Sequence, residues 1–492
     1  MITGTDYFLL TALSLPILAA VISLTSMNRR VMLYSSVILF LPLVAYSIYG
    51  LALGLNVLVP LGSLPSPIGN LYLISDGLSN SFGFTISLVS AMVALASYPY
   101  MEHRFKELGI GGESDWGTFY TLYNLYSVSM AWLVYSYNLL LTYIALELSL
   151  VFSFLLIYLY GYGNRRWVSI LYFVWTHVAG VLFLIGIVII AYTLGTLNIA
   201  ALRAIPTLAW LIILIGLLIK LPSYGPHVWL PWAHAEAPTS VSALLSPLTV
   251  GLAAYILARL YLVSPQFIDS IRQYLLAYAL IGGILAGFTV FRQGDYKRLL
   301  AYSTVANMAY LLVGLSLGQY GIIGLTLQYM AHALGKAILF MTSGAIIAAY
   351  ETRDINKMGG LHTFIPSISN AALMGWLSLS GVFTVGLLAE FYLFLGLTST
   401  IGLGSYSLSG SLLVLIGLAL LFILTAYYGF WALKRVFYGQ PRGTYTKVHM
   451  DKLLYIPLYI MGFTSVLLLF PPFSTALLHS LQVSVIGVVA HA

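Results

Sequence analysis

The chain has 492 residues, 60% of them hydrophobic and only 7% charged, with a mean hydropathy of +0.96. A soluble domain carries about 25% charged residues, so a soluble enzyme is excluded. The chain has no cysteine, which excludes a disulfide framework, thiolate iron–sulfur ligation and a cysteine nucleophile. The net charge of +7 comes from 21 basic residues spread over the whole length, which is no nucleic-acid surface. The apolar runs are continuous, as in LAWLIILIGLLI at 208–219, and lack the alternation of a membrane β-barrel. These features predict an all-α polytopic membrane protein.

About 20 apolar residues span a bilayer as a helix. Fourteen apolar segments are predicted to cross, at 7–24, 31–53, 78–99, 117–135, 138–160, 167–192, 206–221, 240–262, 272–291, 299–317, 321–349, 369–398, 410–436 and 453–474. Residues 1–6 carry no basic stretch, so 7–24 reads as a retained first span rather than a cleaved signal. Two connecting segments exceed simple turns. The first, 54–77, is rich in Pro, Gly and Ser and reads as a loop at the membrane surface; the second is 437–452. No stretch is large enough for a soluble domain, so the chain is expected to bind no nucleotide or redox cofactor of its own.

Sixteen of the 21 Lys and Arg residues fall in or beside odd-numbered loops, Lys297 and Arg353 among them. Three fall beside even-numbered loops, Arg203, Arg259 and Arg272, and Lys220 and Lys336 fall inside spans. Basic residues favour the cytoplasmic side. The odd loops are therefore expected in the cytoplasm and both termini on the outer face of a cell membrane.

A charge at the bilayer centre costs at least about 2.5–3.5 kcal/mol, so charges found there are paired or functional. Glu147 lies in mid-span five and Lys220 deep in span seven. As neighbours they would form an ion pair, whose separation would release a proton from the lysine. The plain structural alternative is a static pair. After Lys220 the chain runs KLPSYGPHVWLPWAHAEAPTS, where Pro222, Gly225, Pro226 and Pro231 preclude one regular helix. A broken helix at membrane depth is tolerated only against protein or a wet cavity. His227, His234 and Glu236 decorate this break and suggest a hydrated proton path. Their irregular spacing argues against a metal site. His332 and Lys336, four residues apart in span eleven, share a helix face. Glu390 lies in span twelve after LSLSGVFTVG, a second candidate break, and His177 sits within span six. Interrupted spans in two halves point to inverted repeats. Spans four to eight and nine to thirteen form the expected five-helix repeats, with Lys220 and Glu390 in equivalent spans. The divisions are 1–114, the N-terminal spans one to three; 115–262 and 263–440, the two repeats; and 441–492, span fourteen and a tail.

The stretch KLPSYGPHVWLPWAHAEAPTSVSALL at 220–245 resembles the antiporter-like subunits of respiratory complex I. Two more stretches share the resemblance: DYKRLLAYSTVANMAYLLVG at 295–314, and QYMAHALGKAILFMTSG at 328–344 followed by TRDINKMGGL. That superfamily also holds Mrp-type cation/proton antiporters and energy-converting hydrogenase subunits. The resemblance covers about 115–440. It implies a proton-translocating subunit in which Glu147 and Lys220 form the driving pair. Lys336 and His332 would continue the row, and Glu390 would end it as in the subunit in the middle of the antiporter-like series. The implied partners are other membrane subunits of a quinone-reducing or hydrogenase-type complex. Three features depart from the family pattern. Span eight (SPLTVGLAAY, 246–255) has no lysine, which leaves Thr249, Tyr255 or water to bridge Lys220 and Lys336 and makes Gly251 and its neighbours the positions for restoring one. Trp232 replaces the usual acid of the LPxAH motif, and the paired prolines of span twelve are missing, with SLSG at 378–381. The alternatives are a sodium/proton antiporter subunit, a non-pumping structural subunit that lost the span-eight lysine, or a stand-alone transporter.

Overall fold

The structure, a computed structural model, describes residues 4–402 and 408–489. In lipid every backbone N–H and C=O must find its partner within the protein, so the apolar runs become helices. Among the described residues ten helices are long and apolar enough to cross a membrane, and four more apolar helices are shorter. The chain is a polytopic, predominantly α-helical membrane protein.

Helix α1 (Gly4–Thr25) leads into α2 (Arg29–Ile38) and α3 (Leu41–Leu53). Asn28 starts α2 by accepting a hydrogen bond from the Arg30 N–H at 2.9 Å. The next segment corrects the loop expected at 54–77. It is an antiparallel hairpin of β1 (Val57–Ser63) and β2 (Asn70–Ser75), paired from Val57 opposite Ser75 to Ser63 opposite Asn70 with a register shift between Pro60 and Gly62. The Pro, Gly and Ser residues that suggested a loop concentrate in its turn, while NVLV and NLYLI on either side carry the β-branched and aromatic residues that suit a strand.

Asp76 then opens α4 (Gly77–Leu108) with a capping box: it accepts from the Ser79 N–H at 2.8 Å, and its own N–H donates to Ser79 Oγ at 2.9 Å. There follow α5 (Glu113–Tyr135), α6 (Leu139–Tyr160), α7 (Arg165–Leu194) and α8 (Thr207–Lys220). The expected break comes directly after Lys220. A bend at 221–225 and a short turn, Pro226–Val228, precede α9 (Trp229–Glu236), α10 (Thr239–Leu244) and α11 (Leu252–Val263). Helices α12 (Gln266–Val290), α13 (Tyr296–Ser316) and α14 (Gly318–Tyr350) are long and continuous. The second break is present too. Helix α15 (Pro366–Leu379) stops before α16 (Val385–Gly402), and Gly381 and Phe383 both turn through positive φ, +64° and +51°. A glycine-led reversal does here what the absent prolines would have done. Helices α17 (Leu408–Leu433) and α18 (Lys452–Leu467) follow. The region after 474, expected to be a tail, is instead α19 (Phe473–Val489), pinned where the Gly77 N–H donates to Ser484 Oγ at 2.6 Å.

Loops meet others of their own parity. On one face Arg29 pairs with Glu113 at 3.1 Å, the Tyr162 N–H donates to the Glu236 carbonyl at 2.7 Å, and the Tyr296 N–H donates to the Arg353 carbonyl at 2.8 Å. On the opposite face the hairpin is sewn to its neighbours by Tyr137 N–H to the Tyr72 carbonyl and Leu197 N–H to the Pro67 carbonyl, both 2.8 Å. Helix α14 lies at the centre, packed against α4, α10, α13, α15, α16 and α18, so its polar side chains face protein rather than lipid.

Candidate functional site

Glu147 on α6 and Lys220, the last residue of α8, meet as the sequence suggested. Lys220 Nζ donates to Glu147 Oε1 at 3.1 Å, and the lysine is buried. The sequence did not foresee a third member: His177 Nδ1 on α7 lies 2.9 Å from Glu147 Oε2. The carboxylate is thus held from both sides. The histidine was legible as an ionisable residue in an apolar span, but only packing reveals which way it points. Its side chain is 46% exposed and stacks on Phe173 with ring centres 5.4 Å apart, at the outer edge of the chain. Gly180 makes room for the carboxylate, since a Cβ there would stand 2.1 Å from Glu147 Oε1.

The break after Lys220 carries His227, whose Nδ1 accepts from the Gly225 N–H at 3.0 Å while its ring stacks on Tyr224. His234 on α9 is fully buried against Phe340, and among the described residues neither ring nitrogen has a hydrogen-bond partner. Glu236 faces Arg353 at 3.7 Å. Trp232 takes the Arg298 guanidinium over its ring at 4.8 Å, a cation–π contact.

His332 and Lys336 lie on the same face of α14, as expected, and both are buried. Lys336 Nζ donates to the Leu300 carbonyl at 2.7 Å and to Ser303 Oγ, and His332 Nε2 lies 3.2 Å from the Ser246 carbonyl. The polar contacts continue away from Lys336. Asn307 donates to the Ser303 carbonyl at 2.8 Å and to Tyr428 OH at 3.0 Å, and accepts from Gln328 at 3.1 Å. These uncharged residues carry no signal in the sequence, because nothing marks a buried amide before its neighbours are known. Glu390 lies on α16 with its carboxyl group against Gly381, where a Cβ would stand 2.9 Å from Oε1. Among the described residues it forms no ion pair. Its position relative to the break is the one the sequence suggested. Lys220 ends the first half-helix of its span, whereas Glu390 lies in the second half of its own.

The four membrane charges therefore form one direct pair, Glu147 with Lys220, a lysine held by neutral partners, Lys336, and a carboxyl group packed against Gly381, Glu390. Between them, at the level of the missing lysine, Thr249 Oγ1 is bonded to Tyr126 OH, and Tyr255 OH donates to the Val134 carbonyl and accepts from Arg259 Nε at 2.9 Å. Gly251, the position considered for a restored lysine, has no room for one. A Cβ there would lie 2.4 Å from the Tyr329 ring, which is itself stacked on Phe82 at 3.9 Å. Even Gly251→Ala is expected to cost about 1–3 kcal/mol through overpacking, and Gly251→Lys more. Unfolding followed by tryptophan fluorescence in detergent checks this, and an unchanged stability would mean that Tyr329 can retreat.

Two charges that the sequence assigned to loop ends are in fact buried. Arg259 forms a bidentate ion pair with Asp76 beneath the hairpin, and Lys297 is fully covered at the first turn of α13. Leucines on both sides of Arg259 (LARLYLV) were the available signal.

Residues 136–413 match the family described as NADH:quinone oxidoreductase/Mrp antiporter, TM. The F(420)H(2) dehydrogenase subunit M of Methanosarcina mazei is 36% identical over 321 residues, which is 60% of this chain and 62% of that one. The chain thus spans about three fifths of that relative's length. Two solved assemblies contain a chain of the same fold. Respiratory complex I from Thermus thermophilus matches with a TM-score of 0.81 at 22% identity over 97% of this chain and 98% of that one. The Mrp complex from Dietzia sp. DQ12-45-1b matches with a TM-score of 0.82 at 19% identity over 98% of each. The family match covers more than half of the sequence and includes both the Glu147–Lys220 pair and the His332–Lys336 face, so the chain belongs to the NADH:quinone oxidoreductase/Mrp antiporter transmembrane family.

Proposed function

We propose that this chain is an antiporter-like, proton-translocating membrane subunit of a complex I-like quinone oxidoreductase or a related energy-converting complex. The observation that carries this reading is the ion pair at the helix break. A buried lysine at the end of a half-helix is bound to a carboxylate that a second base, His177, can also hold. Moving the carboxylate toward His177 takes away the counter-ion of Lys220, which then gives up its proton. The proton passes along His227 and His234 to His332 and Lys336, and leaves toward Glu390. The energy for moving Glu147 comes from a redox step elsewhere in the assembly. Its partners are the other membrane subunits, and His177 lies at the surface where one would dock.

In this reading the chain crosses the membrane fourteen times, with both termini on the outer face and the basic loops in the cytoplasm. The parity of the loop contacts supports that count. Residues 1–114 form an N-terminal group of helices, 115–262 and 263–440 two inverted five-helix repeats, and 441–492 a C-terminal helix and its extension.

The test uses the native complex sealed in vesicles with its cytoplasmic face outward, with internal pH followed by a dye as electron donor is added. Acidification that a protonophore abolishes and that sodium does not alter is expected. A sodium-dependent pH change would point to a sodium/proton antiporter subunit. No pH change with intact electron transfer would favour a structural subunit, a reading for which the Tyr126–Thr249 contact in place of a span-eight lysine speaks.

A further inference from the structure

Among the described residues, Lys297 is an amine that forms no ion pair. Its Nζ donates to the Ala237 carbonyl at 2.5 Å and lies 5.4 Å from the centre of the Tyr162 ring, and the residue is 0% exposed. The charged groups that face it are Arg353, Asp295, Glu236 and Arg104. Both of the acids are engaged elsewhere: Arg353 Nε is 2.7 Å from Asp295, and its other end is 3.7 Å from Glu236. Arg104 is committed to Glu107 and to the carbonyls of Tyr160 and Gly161. A buried ammonium in such a setting is costly unless water reaches it or the proton leaves.

The surroundings indicate that water does reach it. More than about 90% of buried polar groups in proteins have a hydrogen-bond partner. Here several that lack one are gathered on the elements around Lys297: Glu236 Oε2, Ser242 Oγ, both ring nitrogens of His234, and His332 Nδ1. His234 has Lys297 on one side and Lys336 and His332 on the other as its charged neighbours. A cavity of about 270 Å³ lined by Glu107, Tyr162, Ile347, Glu351, Thr352 and Arg353 adjoins the same cluster on the basic face. That volume holds several waters at about 30 Å³ each.

We propose that Lys297 is the proton-entry group of this chain, loading protons from the water-filled cavity on the basic face and delivering them through water to His234. The neutral amine takes a proton from a hydronium in the cavity and becomes an ammonium. It passes that proton to a ring nitrogen of His234 and returns to the neutral amine, and His234 hands the proton on to His332 and Lys336. The inference rests on the proton-translocation reading above and adds to it the place of entry.

Two variants test it in the assembled complex in sealed vesicles. Lys297→Arg keeps the charge and the donor to the Ala237 carbonyl but holds its proton permanently. Lys297→Gln removes the charge. Both are expected to slow donor-driven proton transfer at least tenfold while assembly stays normal. A merely structural lysine would be rescued by arginine, so wild-type transfer in Lys297→Arg overturns the proposal. If neither variant assembles, hydroxyl-radical footprinting of the wild-type complex decides. Oxidation of Tyr162 and Tyr296 within tenfold of surface tyrosines supports a wet passage, and full protection refutes it. A wild-type complex that moves no protons defeats the parent reading and this one together, whereas a pumping wild type with a pumping Lys297→Arg defeats this one alone.

Discussion

Lys220→Ala is expected to cut donor-driven proton transfer by about a hundredfold or more, the size of effect that follows loss of a positioned proton-transfer group, without preventing the chain from assembling. The structure explains why the two effects separate. Lys220 is the final residue of α8, so alanine there disturbs no helix interior. Glu147 is not stranded when the lysine is lost, because His177 remains 2.9 Å from its second oxygen and its side chain is 17% exposed. The usual penalty for breaking a buried pair, about 3–5 kcal/mol, is thereby reduced. Glu147→Gln is expected to be milder, since the amide oxygen still accepts from Lys220 Nζ while the charge is gone. Initial rates of dye quenching in vesicles, normalised to electron transfer, give both numbers. Undiminished pumping by Lys220→Ala would remove the pair from the mechanism.

The second large effect concerns stability. Arg259→Met is expected to destabilise the protein by about 3–5 kcal/mol, because it leaves a buried carboxylate without its cation. Asp76 is 2% exposed and Arg259 5%, and the pair ties the start of α4, beneath the hairpin, to α11. Asp76→Asn is expected to cost less, since asparagine can still cap α4 by accepting from the Ser79 N–H. The double variant should lose less than the sum of the two, since no unpaired charge is left inside. Reversible unfolding in mixed micelles measures all three. A loss below about 1 kcal/mol for Arg259→Met would mean that the cavity of about 210 Å³ beside the pair, lined also by Asn56 and Tyr137, hydrates Asp76 well enough to replace the arginine.

The relation between these two pairs shows what could be read in advance. Glu147 and Lys220 were found because each interrupts a long apolar run, and a charge in such a run must be paired or used. Asp76 and Arg259 obey the same rule but sit near span ends, where the sequence cannot distinguish a charge reaching out to water from one turned inward. Lys297 was assigned to a loop for that reason. His177 was seen, but its role as second partner of Glu147 depends on the rotation of α7 against α6. The uncharged members, Ser303, Asn307, Gln328 and Tyr428, carry no signal in one dimension at all.

By itself the sequence determined the class, a polytopic helical membrane protein, because hydropathy decides whether a segment lies in lipid. It also located both helix breaks, because proline and a glycine-led turn interrupt the hydrogen-bond ladder wherever they occur. The hairpin was missed because its turn residues outweighed two short strands, and α19 because a polar-flanked C-terminal run resembles a tail. Tertiary structure alone decided the partners of each charge, the closing of Gly251 by Tyr329, and the cluster of unpartnered polar atoms around His234. Those depend on distances between residues far apart in the chain, and on which face of each helix turns inward. Local pattern sets the helices, and packing between them sets the chemistry.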